Sequence, residues 1–345
     1  MAWAQATADD WIDMLRLLTS FATGGVNAHT AGGKWIDGTS GVVGSTDVWT
    51  QLSNGGLQPS LPGSGSATDG ELYLQGQGSS GTDQIIVGMQ TYRNVGNNVF
   101  GIKLQGYTAF DNTLAFATMP GVSPTTFTAL ANVSFNCFFW VNARRIMVAA
   151  RIGTTDVFFT FGYMLPFATA NQYPYPLFIT GSVQDVTYNF QQNNFGQSCF
   201  PDPCPNGCYF RWVDGTWISV IHYSSNNASR PSALNNTNPY LWYPLRDNTT
   251  GDGTENDGTG SELNLFGGYS ATSVIVSPSQ IGAYPLYPVI LVNPNQLIGQ
   301  VDGMYVVPGQ GLSAGDTVTV GSDTYDVFHN TWRTEFPDFF CIKRA

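Results

Sequence analysis

The sequence predicts a mainly β protein: a large antiparallel β-sandwich-like body with an N-terminal amphipathic helix and a small C-terminal β-barrel-like module. Three observations carry this. Only 11% of the 345 residues are charged, against about 25% in an ordinary soluble domain, while 14% are aromatic and Gly numbers 39. That mixture favours strands joined by tight turns over long helices with charged faces. Short β-branched or aromatic segments recur between clusters of Gly, Asn and Ser, whereas helical spacing occurs once. The expected division is residues 1–25 as a helical docking segment, 26–283 as the main antiparallel domain and 284–345 as the small module.

The helix is expected where Trp11, Met14, Leu15, Leu18, Phe21 and Ala22 fall at helical spacing, with a cap at Thr7, Asp10 three residues later as in a capping box, and Gly24-Gly25 as the stop. Its apolar face (Trp11, Leu15, Leu18) either packs on the β body or docks onto a neighbouring chain. Strands are expected at Asp47 to Leu52, Glu71 to Leu74, Gln84 to Tyr92 and Asn98 to Gly106. The clearest hairpin series is Phe135 to Asn142, Arg145 to Ile152 and Asp156 to Tyr163, and the nearly continuous apolar run from Arg145 to Ile152 predicts a strand covered on both faces.

After these strands, the Pro/Tyr stretch from Pro166 to Phe178, with Tyr173 and Tyr175 before prolines, reads as a stiff connector or a ligand for a groove that takes extended, Pro-rich segments. Phe210 to Tyr223 reads as a hairpin turning at Asp214-Gly215, and residues 224–262 as a solvated surface loop. Asp247, Asp252, Glu255 and Asp257 in that loop offer carboxylates to calcium, but not in EF-hand order. Two strands near Leu263 to Phe266 and Ala271 to Val276 close the body. The tail adds five more at Val289 to Val292, Met304 to Val307, Thr317 to Val320, Thr324 to Phe328 and Phe339 to Ile342.

Charge narrows the function classes. A net charge of −11, with adjacent Lys/Arg pairs only at Arg144-Arg145 and Lys343-Arg344, argues against a surface that tracks phosphates, so no nucleic-acid partner is expected. No apolar run is long enough for a membrane-spanning helix, and the start MAWAQATADDW reads as mature protein made in a cytoplasm. Cys199, Cys204 and Cys208 form the one cysteine cluster, open to a disulfide, free thiols or a zinc site short of a fourth ligand; Cys137 and Cys341 read as core residues. The three histidines, His29, His222 and His329, have no neighbours that make a nucleophile–base set, and most acids sit in turns, Asp302-Gly303 among them. No enzyme, metal or cofactor is expected. A polysaccharide-degrading enzyme would need only two well-placed carboxylates.

The block FFWVNARRIMVAARIGTTDVFFTFGYMLPFATANQYPYPLFITGS, from Phe138 to Ser182, resembles a largely uncharacterised family of tailed-bacteriophage virion proteins. The opening DDWIDMLRLLTSFAT and the closing GMYVVPGQGLSAGDTVTVGSDTYDVFHNTWRTEFPDFFCIKR are similar to the ends of that family. The resemblance implies a virion component of tail, baseplate or neck, in several copies, contacting copies of itself and other virion proteins. It carries over no catalytic residues. On this reading the Arg144-Arg145 turn joins the partner surface, with Arg144 either pairing with a partner's carboxylate or standing in a solvated turn, and Tyr173, Tyr175 and Phe178 join it too. The alternative is a receptor- or carbohydrate-binding tail protein that stacks host-surface glycan on Trp212, Trp217, Trp242 or Tyr243.

Overall fold

The computed structural model describes residues 1–24, 34–36, 43–52, 70–78, 80–82, 84–167, 177–183, 185–191, 207–212, 214–220, 241–243, 284–293, 296–307, 311–329 and 339–344. Along the chain these form β1 (Ala2–Ala8), α1 (Trp11–Ala22), β2 (Thr50–Leu52), β3 (Glu71–Gly76), β4 (Ile85–Asn94), β5 (Val99–Tyr107) and β6 (Thr126–Leu130). The central run is β7 (Phe135–Val141), β8 (Arg145–Ile152), β9 (Thr155–Tyr163), β10 (Leu165–Pro166), β11 (Leu177–Thr180), β12 (Cys208–Arg211) and β13 (Trp217–Ser219). The last strands are β14 (Leu241–Tyr243), β15 (Tyr287–Asn293), β16 (Gln296–Val307), β17 (Thr317–Val320), β18 (Asp323–His329) and β19 (Phe339–Lys343).

The fold is mainly β, with antiparallel sheets and one helix near the N-terminus. The central sheet has the order β1-β7-β8-β9-β11-β12-β13, and a five-stranded meander runs β2-β3-β4-β5-β6. A third sheet runs β14-β15-β16-β19-β18-β17, with β10 joining along β16. Alternation of side chains decides the layering. From β7 and β8, Cys137, Phe139 and Val141 with Ile146, Val148 and Ala150 face a core shared with α1 and the meander. Phe138 and Trp140 with Met147 and Ala149 face the opposite core, shared with Val289, Leu291, Met304, Phe328, Phe340 and Ile342 of the third sheet. The central sheet is therefore covered on both faces, as the apolar run in β8 predicts.

This arrangement revises the tail. Among the described residues the C-terminal strands close no barrel, and those of 284–345 pack on the central sheet rather than stand apart. Their inward residues need cover, which the central sheet supplies, and the sheet recruits β10 and β14 from outside that range.

The N-terminal segment is also revised. Residues Ala2–Ala8 pair with β7 in full register, and their buried alanines leave room for α1 to lie close over the sheet. Thr7 thus sits in a strand and its hydroxyl donates to Asn136 Oδ1 at 3.2 Å. The cap is Asp10, whose Oδ1 accepts from the N–H of Ile12 at 2.9 Å and of Asp13 at 2.8 Å. Asp13 Oδ2 accepts from the N–H of Asp9 at 2.9 Å, one residue before the cap, so a box-like exchange stands three residues later than the spacing suggests. Trp11, Leu15 and Leu18 are buried in the chain's own core, with the Trp11 ring 4.7 Å from that of Phe100, so the face proposed for a partner is used internally.

Leu15→Ala is expected to lower unfolding free energy by about 2–5 kcal/mol in urea titration, as core truncations do, whereas Val133→Ala at an exposed position should stay within about 0.5 kcal/mol. Equal effects would mean that the helix face is not part of the core.

Candidate functional site: the meeting point of the two basic pairs

The turn between β7 and β8 is built by Asn142. Its Oδ1 accepts from the N–H groups of Arg144 at 2.9 Å and Arg145 at 2.8 Å, while Asn142 and Arg145 exchange backbone bonds. Neighbouring elements hold the turn on several sides. Ala143 N–H donates to Asp47 Oδ1 at 2.8 Å, Trp49 Nε1–H donates to the Asn142 carbonyl at 2.8 Å, and Tyr163 N–H donates to the Arg144 carbonyl at 2.7 Å. Gly162, opposite Arg145 in the ladder, has φ +128° and lies so close that a Cβ would collide with the Arg144 carbonyl.

Arg145 points from β8 toward the third sheet, and its side chain is fully buried. Its guanidinium donates to Asp302 Oδ1 at 2.7 Å and to the Asp302 carbonyl, while Arg144 donates to Asp302 Oδ2 at 2.8 Å. Asp302 reaches them from an irregularity in β16. Between the pairs Ile290–Gln300 and Pro288–Tyr305, one residue of β15 faces four of β16, and Gly303 within that bulge has φ +84°. Bulges of this kind re-aim side chains. Burial acts to raise the Asp302 pKa, but the charges and bonds of Arg145 and Arg144 outweigh it and hold the carboxyl below its ordinary value. Burial likewise pulls Arg145 below the usual guanidinium value against the attraction of Asp302; a guanidinium still stays charged.

The second basic pair, Lys343-Arg344 at the end of β19, arrives at the same place. Arg344 Nε and NH2 donate to Asp326 Oδ1 at 3.0 and 2.6 Å, and its guanidinium lies over the Trp3 ring at 4.6 Å. Lys343 Nζ pairs with Asp323 at 2.7 Å on the surface. Between the two pairs opens a cavity of about 420 Å³, lined by Asp47, Asn142, Arg144, Asp302, Tyr305 and Lys343 together with Met1, Ala143, Gly303 and Arg344. Burial raises the Tyr305 phenol above its ordinary pKa, and a phenol is a donor at neutral pH in any case. A concave site with several fixed donors suits an anion.

Arg144 and Arg145 are thus neither a solvated turn nor wholly committed to a partner, because Asp302 binds both. The carboxylate was missed because Asp-Gly reads as a turn, and a contact across 157 residues has no local mark. Phe178 is fully buried in β11, not on a partner surface, since its side of the central sheet lies under the third sheet. Tyr173 and Tyr175 lie outside the described residues, as do Cys199, Cys204, the strands expected at 263–266 and 271–276, and the carboxylates Asp247, Asp252, Glu255 and Asp257. Cys208 is buried on β12, opposite Thr180.

Cys137 and Cys341 are core thiols, pushed well above the ordinary thiol pKa by burial. Trp217 donates its indole N–H to the Gly121 carbonyl at 2.9 Å, and its ring edge lies beside Gly106, so it serves the fold. Among the described residues no group of three or more His, Cys, Asp or Glu is placed to hold a metal ion, and no helix is long and apolar enough to cross a membrane.

A comparison with protein-family models finds no match, and a comparison with curated proteins finds none either.

Asp302→Ala is expected to cost about 3–5 kcal/mol in chemical denaturation because it leaves Arg145 buried and unpaired, whereas Arg145→Met with Asp302→Leu should recover much of that loss. Because the folded-state pKa of Asp302 lies below its unfolded value, its contribution is complete above about pH 4 and is lost as pH falls through the folded value. Asp302→Asn should accordingly show a flatter loss of stability on acidification than wild type; an unchanged acid limb would count against the pairing.

Proposed function

We propose that this chain is a structural component of a phage virion, in tail, baseplate or neck, acting through protein–protein contacts in a multi-copy assembly. The observation that supports it is where the phage-like stretches fall. The opening block forms α1, the block from Phe138 to Ser182 contains most of β7 with β8, β9 and β11, and the closing block contains the end of β16 with β17, β18 and β19. These elements supply β7, β8, β9 and β11 of the seven-stranded central sheet, the helix on one of its faces and β17, β18 and β19 of the third sheet on the other, and both basic pairs belong to them. A chain with 11% charged and 14% aromatic residues suits burial against neighbouring subunits, because interfaces are depleted in Lys, Asp and Glu and enriched in aromatic residues. The reading assigns no catalytic residue and no cofactor.

The expected partners are copies of the chain and other virion proteins. Quantitative mass spectrometry of purified particles, with antibody labelling in electron micrographs, should find the chain at a fixed multiple-copy ratio at one end of the tail. Its absence from intact particles would overturn the reading. Binding of the pure chain to host cells, saturable and competed by surface glycan, would favour the receptor-binding alternative.

A further inference from the structure

The adjacent basic pairs of a strongly acidic chain lie 199 residues apart in sequence (144 to 343) yet border one cavity. Its lining holds three cations, Arg144, Lys343 and Arg344, and two carboxylates, Asp47 and Asp302, with Arg145 as a fourth cation beneath. The carboxylates are already engaged. Both oxygens of Asp302 accept from arginines, and Asp47 Oδ1 accepts from Ala143 N–H. The donors are less committed. Arg144 uses only one nitrogen on Asp302, the amide of Asn142 spends its oxygen on the turn, and Lys343 is tied only by a surface pair with Asp323. Such exposed pairs are weak and open readily to a competing carboxylate.

The same lining selects among anions. Asp47 and Asp302 at the wall disfavour a dianion such as phosphate, since like charges repel strongly at close range. A sugar acid would need an open aromatic face, but Trp3 is covered by the Arg344 guanidinium and Tyr305 meets Tyr325 edge to face at 5.6 Å. A single carboxylate on a flexible side chain carries half the charge of a dianion and needs no aromatic face. Chains of this composition carry 24 acids to 13 Lys and Arg, so a neighbouring copy offers mainly carboxylates.

We propose that the cavity between the β7–β8 turn and the end of β19 is a docking site for an acidic side chain of a neighbouring protein chain, gripped by Arg144 and Lys343. The proposal rests on the assembly reading and supplies it with a contact point.

The test is an NMR titration of the full chain with an acetyl-Glu-Gly-Glu-amide peptide, beside the Gln analogue, glucuronate and inorganic phosphate. Arg144→Gln and Lys343→Gln are titrated in parallel after their unfolding midpoints are matched to wild type. Expected is saturable binding of the Glu peptide that shifts Gly303 and Tyr305 amides, weakens with salt, and falls about tenfold in each variant. Binding of the Gln analogue as tight as that of the Glu peptide, binding by glucuronate or phosphate at least as tight, or unaltered binding in both variants would overturn it. Failure here alongside the chain's presence in particles sinks only the docking site. Peptide binding by a chain absent from particles sinks only the virion reading.

Discussion

One face of β8 decides how the layers hold together. Reading alternate residues, Arg145, Met147, Ala149 and Arg151 all point toward the third sheet, so two apolar residues are bracketed by two arginines. At one end Arg145 takes Asp302 from the bulge of β16. At the other, Arg151 binds Asp156 through Nε at 2.7 Å and NH2 at 3.1 Å, then reaches the Val327 carbonyl of β18 at 3.2 Å. Asp156 in turn accepts from the His329 N–H at 3.0 Å, and the Arg151 guanidinium lies 5.7 and 5.4 Å from the ring centres of Phe138 and Phe328. A buried arginine is costly without a partner, and here both partner sets include atoms of the third sheet. Displacing that sheet would break the Arg145–Asp302 pair, leave Arg151 with Asp156 of β9 alone, and expose the apolar core.

The clamp explains the local oddities around the cavity. Gly162 admits the Arg144 carbonyl, the bulge at Gly303 turns Asp302 inward, and Asn142 ties the turn whose two arginines share one carboxylate. The same contacts that lock the layers hold Arg144 at the rim of a cavity. A rigidly held cation loses little freedom when it meets a ligand, which favours recognition over mobility. Structure and proposed function therefore draw on one group of residues: Arg145 serves the core, and Arg144 faces both ways.

Much of this was legible in the sequence because it is local. The apolar runs of β7, β8 and β9 and the short runs of β17, β18 and β19 emerge with little shift, since each is bounded by turn residues. The misreadings have physical causes. Ala2–Ala8 is low in β propensity, and it is a strand because β7 needs a neighbour and α1 needs small residues beneath it. The helix cap slipped by three residues because Thr7-x-x-Asp10 and Asp10-x-x-Asp13 have the same spacing. A separate barrel-like module is what five short strands in a row suggest, whereas the apolar faces of the tail are met by Trp3, Phe138 and Trp140 far away in the chain. The basic pairs were visible as pairs, but their convergence on one cavity, and the Asp302 that Arg144 and Arg145 share, depend wholly on long-range topology.

The central claim is that the central and third sheets form one cooperative body clamped from β8. Native-state hydrogen exchange at increasing denaturant tests it most directly. The account predicts that amides of β16, β18 and β19 open with the same free energy and denaturant dependence as those of β8. Opening of the third sheet at a clearly lower free energy, while β8 stays protected, would contradict it.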